Sequence, residues 1–426
     1  MTDWFGGARF GMFIHWDHIA QRGIEISWPL VGGAGMLHGT HGSIPARDYH
    51  ASAISFDPAP HAARDWMARA ARAGMRYAVF TAKHHDGFAM WPTRTKQLSV
   101  ADSKYRGDLV REYVDAAREN GLRVGLYYSL CDWHHPDYPE FRDEHRPYRF
   151  GANPRPTPEQ WARFLDFQFA QMRELMTDYG KIDLVWFDGG WERTPAEWRA
   201  AELVALIREL QPGIVINDRL PGEGDYDTPE QFIPPVPPAR RWETCLTMNE
   251  TWAWNPRDAR YKSPRELVHG LCEVASRGGN LLLNVSPMAD GALPPEQIAR
   301  LDELARWMRA YGDAIHDSEP GLEPWQFYGP STRKGERVFL HLLMRPYESV
   351  SVRGVPVRRV RSARELASGR ALEHLARTTI LDQMINADPL GELTIRVPED
   401  VLDPLATVIE LDIAAEPLPK VSPPAR

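Results

Sequence analysis

The sequence predicts an irregular (β/α)8-type barrel followed by a C-terminal β-sandwich. Three observations carry that expectation. From the start to about residue 315, short apolar runs alternate with longer amphipathic stretches, the pattern of a parallel sheet with crossover helices. That length of alternation suits a barrel better than a doubly wound sheet. After Pro320 the pattern changes to short runs punctuated by Gly and Pro, with no long helix following.

The barrel strands are expected at Arg9–Trp16, Tyr77–Ala82, Arg123–Ser129, Leu184–Gly189, Ile214–Asp218, Arg241–Cys245 and Asn280–Ser286. Seven are clear, one fewer than a regular barrel needs. Between them, Glu159–Tyr179 and Ala196–Leu210 have helical spacing. Pro294-Pro295 opens a further helix, with Ile298, Leu301, Ala305 and Met308 on one face and Gly312 as the expected C-cap. The sandwich strands are expected at Arg337–Met344, Ser349–Val355, Leu393–Val397 and Thr407–Ile413. The organisation read from these elements is a barrel over 1–318, a sandwich over 319–415 and a Pro-rich tail over 416–426. Pro-rich Phe232–Ala239 reads as an extended loop near the barrel mouth, and Val31–Gly42 is a Gly-rich stretch.

Composition narrows the function. The chain has 426 residues, 43% hydrophobic and 25% charged, which are ordinary globular values. A net charge of −8 gives no basic footprint for nucleic acid and no polybasic membrane anchor. Three widely spaced cysteines, Cys131, Cys245 and Cys272, do not form a disulfide framework. The N-terminal MTDWFGGARF lacks the layout of a signal peptide, and no run of about 18 apolar residues occurs. A soluble cytoplasmic protein without nucleic-acid or membrane partners is expected, and the sequence admits a homo-oligomer.

Position is the informative feature. Nearly every barrel strand runs into a polar or aromatic cluster: His15-Trp16, Lys83-His84-His85-Asp86, Tyr127-Tyr128-Ser129, Trp186-Phe187-Asp188, Asn217-Asp218-Arg219, Trp242-Glu243-Thr244 and Asn284-Val285-Ser286. The C-terminal strand ends of a β/α barrel converge on the face that carries the active site. Phosphate-loop, dinucleotide, nucleophile-elbow, H-E-x-x-H and C-x-x-C motifs are absent. Adjacent His84 and His85 point to opposite faces of an extended segment and are poorly placed to share an ion. Asp132, His134, His135 and Asp137 are the better metal candidates, but no metal is expected. Carboxylates among Trp, His, Tyr and Arg suit sugar chemistry, in which aromatic faces stack on the ring and a carboxylate pair breaks the glycosidic bond.

Seven segments carry a resemblance. They are FGMFIHW (Phe10–Trp16), YAVFTAKHHDGFAMW (Tyr77–Trp91), GLYYSLCDW (Gly125–Trp133), DLVWFDGGWE (Asp183–Glu192), NDR (Asn217–Arg219), WETCLT (Trp242–Thr247) and SRGGNLLLNVSPMADG (Ser276–Gly291). In this order they resemble the α-L-fucosidases of glycoside hydrolase family twenty-nine. The resemblance implies an exo-acting, retaining hydrolase of fucosylated glycans that needs no metal or cofactor. It implies Asp188 as nucleophile and Glu230, in Thr228-Pro229-Glu230, as acid/base, with Glu192 and Glu243 as competitors. The two working carboxyls of a retaining enzyme should lie about 5–5.5 Å apart. The glycines after Asp188 would let a sugar ring approach closely. His15, His84, His85, Tyr127, Arg219 and Trp252 are implied in the sugar subsite.

Two departures stand out. Asp17 replaces the Gly that usually follows His-Trp, and Ser27 precedes Trp28 where a Glu is common. Glu25, if the loop bulges, or Asp17 could supply the missing carboxylate. A related L-sugar such as an α-L-galactoside, or a non-catalytic glycan-binding role, stays open at this point.

Overall fold

A computed structural model describes residues 4–31, 44–138 and 155–416. The Gly-rich stretch beyond Val31 and the Pro-rich tail beyond Glu416 lie outside the described residues. Strands β1 (Phe10–Ile14), β2 (Tyr77–Lys83), β3 (Arg123–Ser129), β4 (Leu184–Asp188), β5 (Val215–Ile216), β6 (Glu243–Thr247) and β7 (Asn280–Val285) form one sheet. Its order is β5-β4-β3-β2-β1-β7-β6. The ladders from β5 through β1 to β7 are parallel, with Ile14 opposite Phe80 and Val285, and Ser129 opposite Asp188. All residues of β1, β2 and β7 are buried. That explains their continuous apolar runs: a parallel sheet is covered on both faces. The structure thus has the barrel-type sheet that the alternation predicts.

The crossover helices start where their caps allow. Thr157 and Gln160 form a capping box at the head of Pro158–Thr177, with proline in the first turn. Asp108 caps Leu109–Glu119 by accepting the Arg111 N–H. The helix expected from Ala196 begins at Ala200, after Arg199 in the left-handed region. The strand expected at Arg241–Cys245 is shifted to Glu243–Thr247, because Arg240 and Arg241 stay in solvent. Gly312 does not cap its helix. The chain continues from Pro295–Tyr311 into a 3-10 turn over Gly312–Ala314, whose first carbonyl accepts the Ile315 and His316 N–H groups.

The chain divides into two compact units. One comprises Phe10–Lys262 and Leu281–Asp302 and carries the parallel sheet; the other takes the segment before Phe10, Ser263–Asn280 and the chain from Glu303 onward. Within the second unit, β8 (Glu319–Pro320), β9 (Ser331–Lys334), β10 (Arg337–Leu342), β12 (Val360–Glu365) and β15 (Thr407–Ile413) form a five-stranded sheet. Strands β11 (Ser349–Pro356), β13 (His374–Arg377) and β14 (Leu390–Arg396) form a second, three-stranded sheet. Val338, Leu340, Ile409 and Leu411 from one sheet and Val350, Val352, Leu393 and Ile395 from the other share one apolar core. This is a sandwich. The sequence pattern misses β8, β9, β12 and β13. They are short or charged, and β13 is exposed along its length, so no alternation marks them.

Candidate active site

The site is built in the first unit, where the strands end. β4 delivers Asp188 as its last residue, opposite Ser129 at the end of β3. The Tyr127 hydroxyl donates to Asp188 Oδ2 at 3.1 Å, and Arg219 Nη1 donates to Oδ1 at 3.2 Å. The His85 ring places Nε2 3.6 Å from Oδ2. Arg219 follows β5 and uses its other terminal nitrogen on Glu230 Oε2, at 2.7 Å. One guanidinium therefore holds both carboxylates, each on its own nitrogen, the fork geometry that suits arginine. Its Nε donates to Thr228 Oγ1 at 3.0 Å, and its plane lies 4.8 Å from the Trp186 ring centroid. Trp186 in turn stacks on Tyr127.

The competitors of Glu230 are occupied elsewhere. Glu243 is buried under the Tyr77 hydroxyl, the Trp186 indole N–H at 3.0 Å and the Tyr226 hydroxyl at 3.4 Å. Burial pushes its carboxyl up to about 7. Glu192 is buried and accepts from the Tyr138 hydroxyl. Glu230 keeps a third of its side chain in solvent.

Three neutral histidines line the same region, and for two of them the hydrogen bonds fix which nitrogen carries the proton. Asn284 gives its N–H to the Trp252 carbonyl, so its Oδ1 accepts from His15 Nδ1 at 2.7 Å. Ser129 gives its proton to the Cys131 carbonyl, so His85 Nδ1 donates to Ser129 Oγ at 2.7 Å. Both rings are left with Nε2 as an acceptor. His84 Nδ1 lies 2.6 Å from Ser27 Oγ, which also accepts the Asp86 N–H. Burial holds His15 and His85 down at about 3 and His84 well below its ordinary value. His15 and His85 thus offer two acceptors, a hydrogen-bonding pattern suited to sugar hydroxyls.

Aromatic rings close the walls. Trp252 lies 4.7 Å from His15 and Trp28 lies 5.7 Å from His85, both buried. His84 stacks on Tyr127 with ring planes 7° apart. Glu25 is placed differently from the sequence expectation. Its carboxylate accepts the main-chain N–H groups of Ile26, Trp252 and Ala253 at 2.8–2.9 Å. It anchors the Trp252 loop with both oxygens. Asp17 caps the turn His18–Arg22 and faces Asp86. The glycines after Asp188 also have another reason. A Cβ on Gly189 would meet Cys131 Sγ at 2.5 Å, and one on Gly190 would meet the Arg219 carbonyl at 2.3 Å. Packing of the protein against itself requires them.

The Asp132–Asp137 cluster is engaged by cations and backbone. Asp132 pairs with buried Lys83 at 3.2 Å and accepts the His134 and His135 N–H groups. Asp137 pairs with Arg163. Trp191 was not among the sequence candidates. It is 39% exposed and its ring stands 5.6 Å from His85. An aromatic three residues after Asp188, just past two glycines, was the available signal. Pro-rich Phe232–Ala239 has no regular structure, and Thr244 of β6 ties it down through the Phe232 carbonyl.

A barrel-type parallel sheet that brings one carboxylate from a strand end and one from a neighbouring loop to a single arginine, among aromatic rings and neutral histidines, has the make-up of a glycoside hydrolase. A family model described as alpha-L-fucosidase matches residues 1–313. The chain belongs to the alpha-L-fucosidase family. It is 30% identical over 385 residues to an alpha-L-fucosidase of Branchiostoma floridae, covering 84% of this chain and 82% of that protein. The human tissue alpha-L-fucosidase is 29% identical over 370 residues, covering 82% of this chain and 76% of that one. Among solved structures, alpha-L-fucosidase isoenzyme 1 from Paenibacillus thiaminolyticus superposes with a TM-score of 0.83 at 36% identity, over 96% of this chain and 98% of that one. A family twenty-nine alpha-L-fucosidase from Bacteroides thetaiotaomicron, solved as a trapped covalent intermediate, has a TM-score of 0.80 at 26% identity, over 96% and 95%.

Proposed function

We propose that the protein is an exo-acting α-L-fucosidase that removes terminal α-L-fucosyl residues from glycans with retention of configuration. The observation that carries this reading is the Asp188–Arg219–Glu230 bridge. Asp188 attacks the anomeric carbon while Glu230 gives its proton to the departing glycosidic oxygen. The bond to the aglycone breaks as a β-linked fucosyl ester forms on Asp188. That ester removes the Asp188 charge and leaves Glu230 the anionic partner of Arg219. Glu230 then takes a proton from water, which displaces Asp188 and restores the α-configuration.

Arg219 and the Tyr127 hydroxyl hold the Asp188 carboxylate in one orientation before attack. His15 and His85 accept from sugar hydroxyls, His84 hydrogen-bonds to one, and Trp252 covers an apolar face of the ring. The substrate partner is a fucosylated oligosaccharide or glycoconjugate. No helix among the described residues is long and apolar enough to cross a membrane.

The test is hydrolysis of 4-nitrophenyl α-L-fucoside by the wild type and Asp188→Ala, with the α-L-galactoside alongside. Fucoside turnover that collapses in the variant, with α-fucose as first product by NMR, supports the reading. Faster cleavage of the galactoside, or β-fucose as first product, overturns it.

A further inference from the structure

The two departures of this chain from its family meet in one buried cluster. Tyr49 accepts the Ser27 N–H at 2.7 Å and donates its hydroxyl to Asp86 Oδ2 at 2.9 Å. Asp86 Oδ1 accepts the Phe88 N–H at 3.0 Å. Asp17 Oδ1 accepts the Ile19 N–H at 2.7 Å, and its other oxygen, Oδ2, receives no donor. Two carboxylates are thus pressed together in the protein interior, Asp17 at 3% and Asp86 at 0% exposure. Burial, the Asp86 charge and a hydrogen bond between the two side chains raise the Asp17 carboxyl well above its ordinary range.

His18 completes the cluster. Its Nδ1 lies 2.7 Å from Ser52 Oγ, whose proton goes to the Tyr49 carbonyl. Nδ1 therefore carries the ring proton, and Nε2 holds a lone pair with no partner in a fully buried ring. A histidine fixed by a donated Nδ1–H, with Nε2 bare, has the form of a metal ligand. One ligand atom each from Asp17, His18 and Asp86 lies within 4.8 Å of the others. Closing to about 3.4 Å would give the ligand separations of a tetrahedral site with bonds near 2.1 Å. His50, with both ring nitrogens unpartnered, stands 6.3 Å from the His18 ring.

We propose that Asp17, His18 and Asp86 bind one divalent transition-metal ion, Zn2+ in the first instance. Two anionic oxygens and one neutral imidazole suit Zn2+. The imidazole disfavours Mg2+ and Ca2+, which take oxygen ligands. Three protein ligands leave a fourth position for water. The ion would neutralise the paired carboxylates and lock the Asp86–Ser27–His84 chain from behind. Its role is structural, apart from the bond-breaking carboxylates.

The test uses the full chain, stripped with a chelator and then titrated with ZnCl2 against a chromogenic competitor. Bound metal is counted by mass spectrometry, and melting is followed with and without Zn2+. Asp17→Asn keeps the side-chain volume and stands in for a neutral carboxyl, so it should fold; His18→Gln is the second variant, and circular dichroism checks both. The expected result is one tightly bound Zn2+ per wild-type chain and a rise in Tm. Either variant should bind at least tenfold more weakly and lose the Tm response. No stoichiometric binding by folded wild type, or equal binding by both variants, overturns the proposal.

Discussion

The carboxylate of Glu25 accepts the main-chain N–H of Trp252 at 2.8 Å, joining positions 227 residues apart. Its second oxygen takes the Ala253 N–H. A buried carboxylate with three N–H donors is strongly held, and it fixes the ring that stands against His15. Glu25 thus sets where the Trp252 ring stands beside His15 through the loop it anchors.

Glu25→Gln turns an amide NH2 toward N–H groups that need an acceptor. Leaving one buried donor unmade costs about 1–3 kcal/mol. The variant should melt lower and show a raised KM on the aryl fucoside with a smaller change in kcat. Steady-state kinetics and a thermal melt check this. An unchanged KM would separate Trp252 from sugar binding.

Arg219→Lys tests the bridge. A lysine ammonium is a point donor and cannot span Asp188 and Glu230 as a fork. kcat/KM should fall by about 100-fold, the scale of losing one preorganised charge contact in a site. The pH–rate profile should change shape with it, because a single ammonium cannot hold both carboxylates on separate nitrogens as the guanidinium does. A uniform loss with the wild-type profile would assign Arg219 to the scaffold.

Glu230→Ala should respond to the leaving group. General acid catalysis is worth about 10²–10⁴ where the departing oxygen needs a proton. Fucosides of good leaving groups such as 2,4-dinitrophenol should lose little in the first step, whereas oligosaccharides should lose nearly all activity. Equal losses on both would return Glu192 or Glu243 to consideration.

Glu243 gives a pH dependence of stability with a defined sign. Its folded value is about 7 against an ordinary 4.5. The folded protein keeps that proton while the unfolded chain releases it. The contribution is therefore complete below about 4.5 and lost as pH rises through about 7. The swing is about 3 kcal/mol for this fully buried group. Urea unfolding between pH 4.5 and 7.5 should show a shallower decline in Glu243→Gln than in wild type, whatever its absolute stability.

The strand core and the site's chemistry were legible because both are written locally. A parallel strand buried on both faces must be a continuous apolar run, so β1, β2, β3, β4 and β7 stand out within a residue or two. Asp188 ends β4 and the histidines follow β1 and β2 at once, and a strand end is a fixed address in such a sheet. Glu230 lies in an irregular loop; the resemblance pointed to it, and its bond to Arg219 is tertiary.

What the sequence determined by itself was the family, the sheet and the residue types gathered at its edge. What only the tertiary structure decided was which neighbour each polar atom faces. Glu25 and Asp17 read alike as spare carboxylates, yet one is satisfied by backbone N–H groups from residues 252–253 and the other is pressed against Asp86. Periodicity and motif order depend on neighbours along the chain. Hydrogen-bond partners, protonation and tautomer depend on groups that only folding brings within 3 Å of one another.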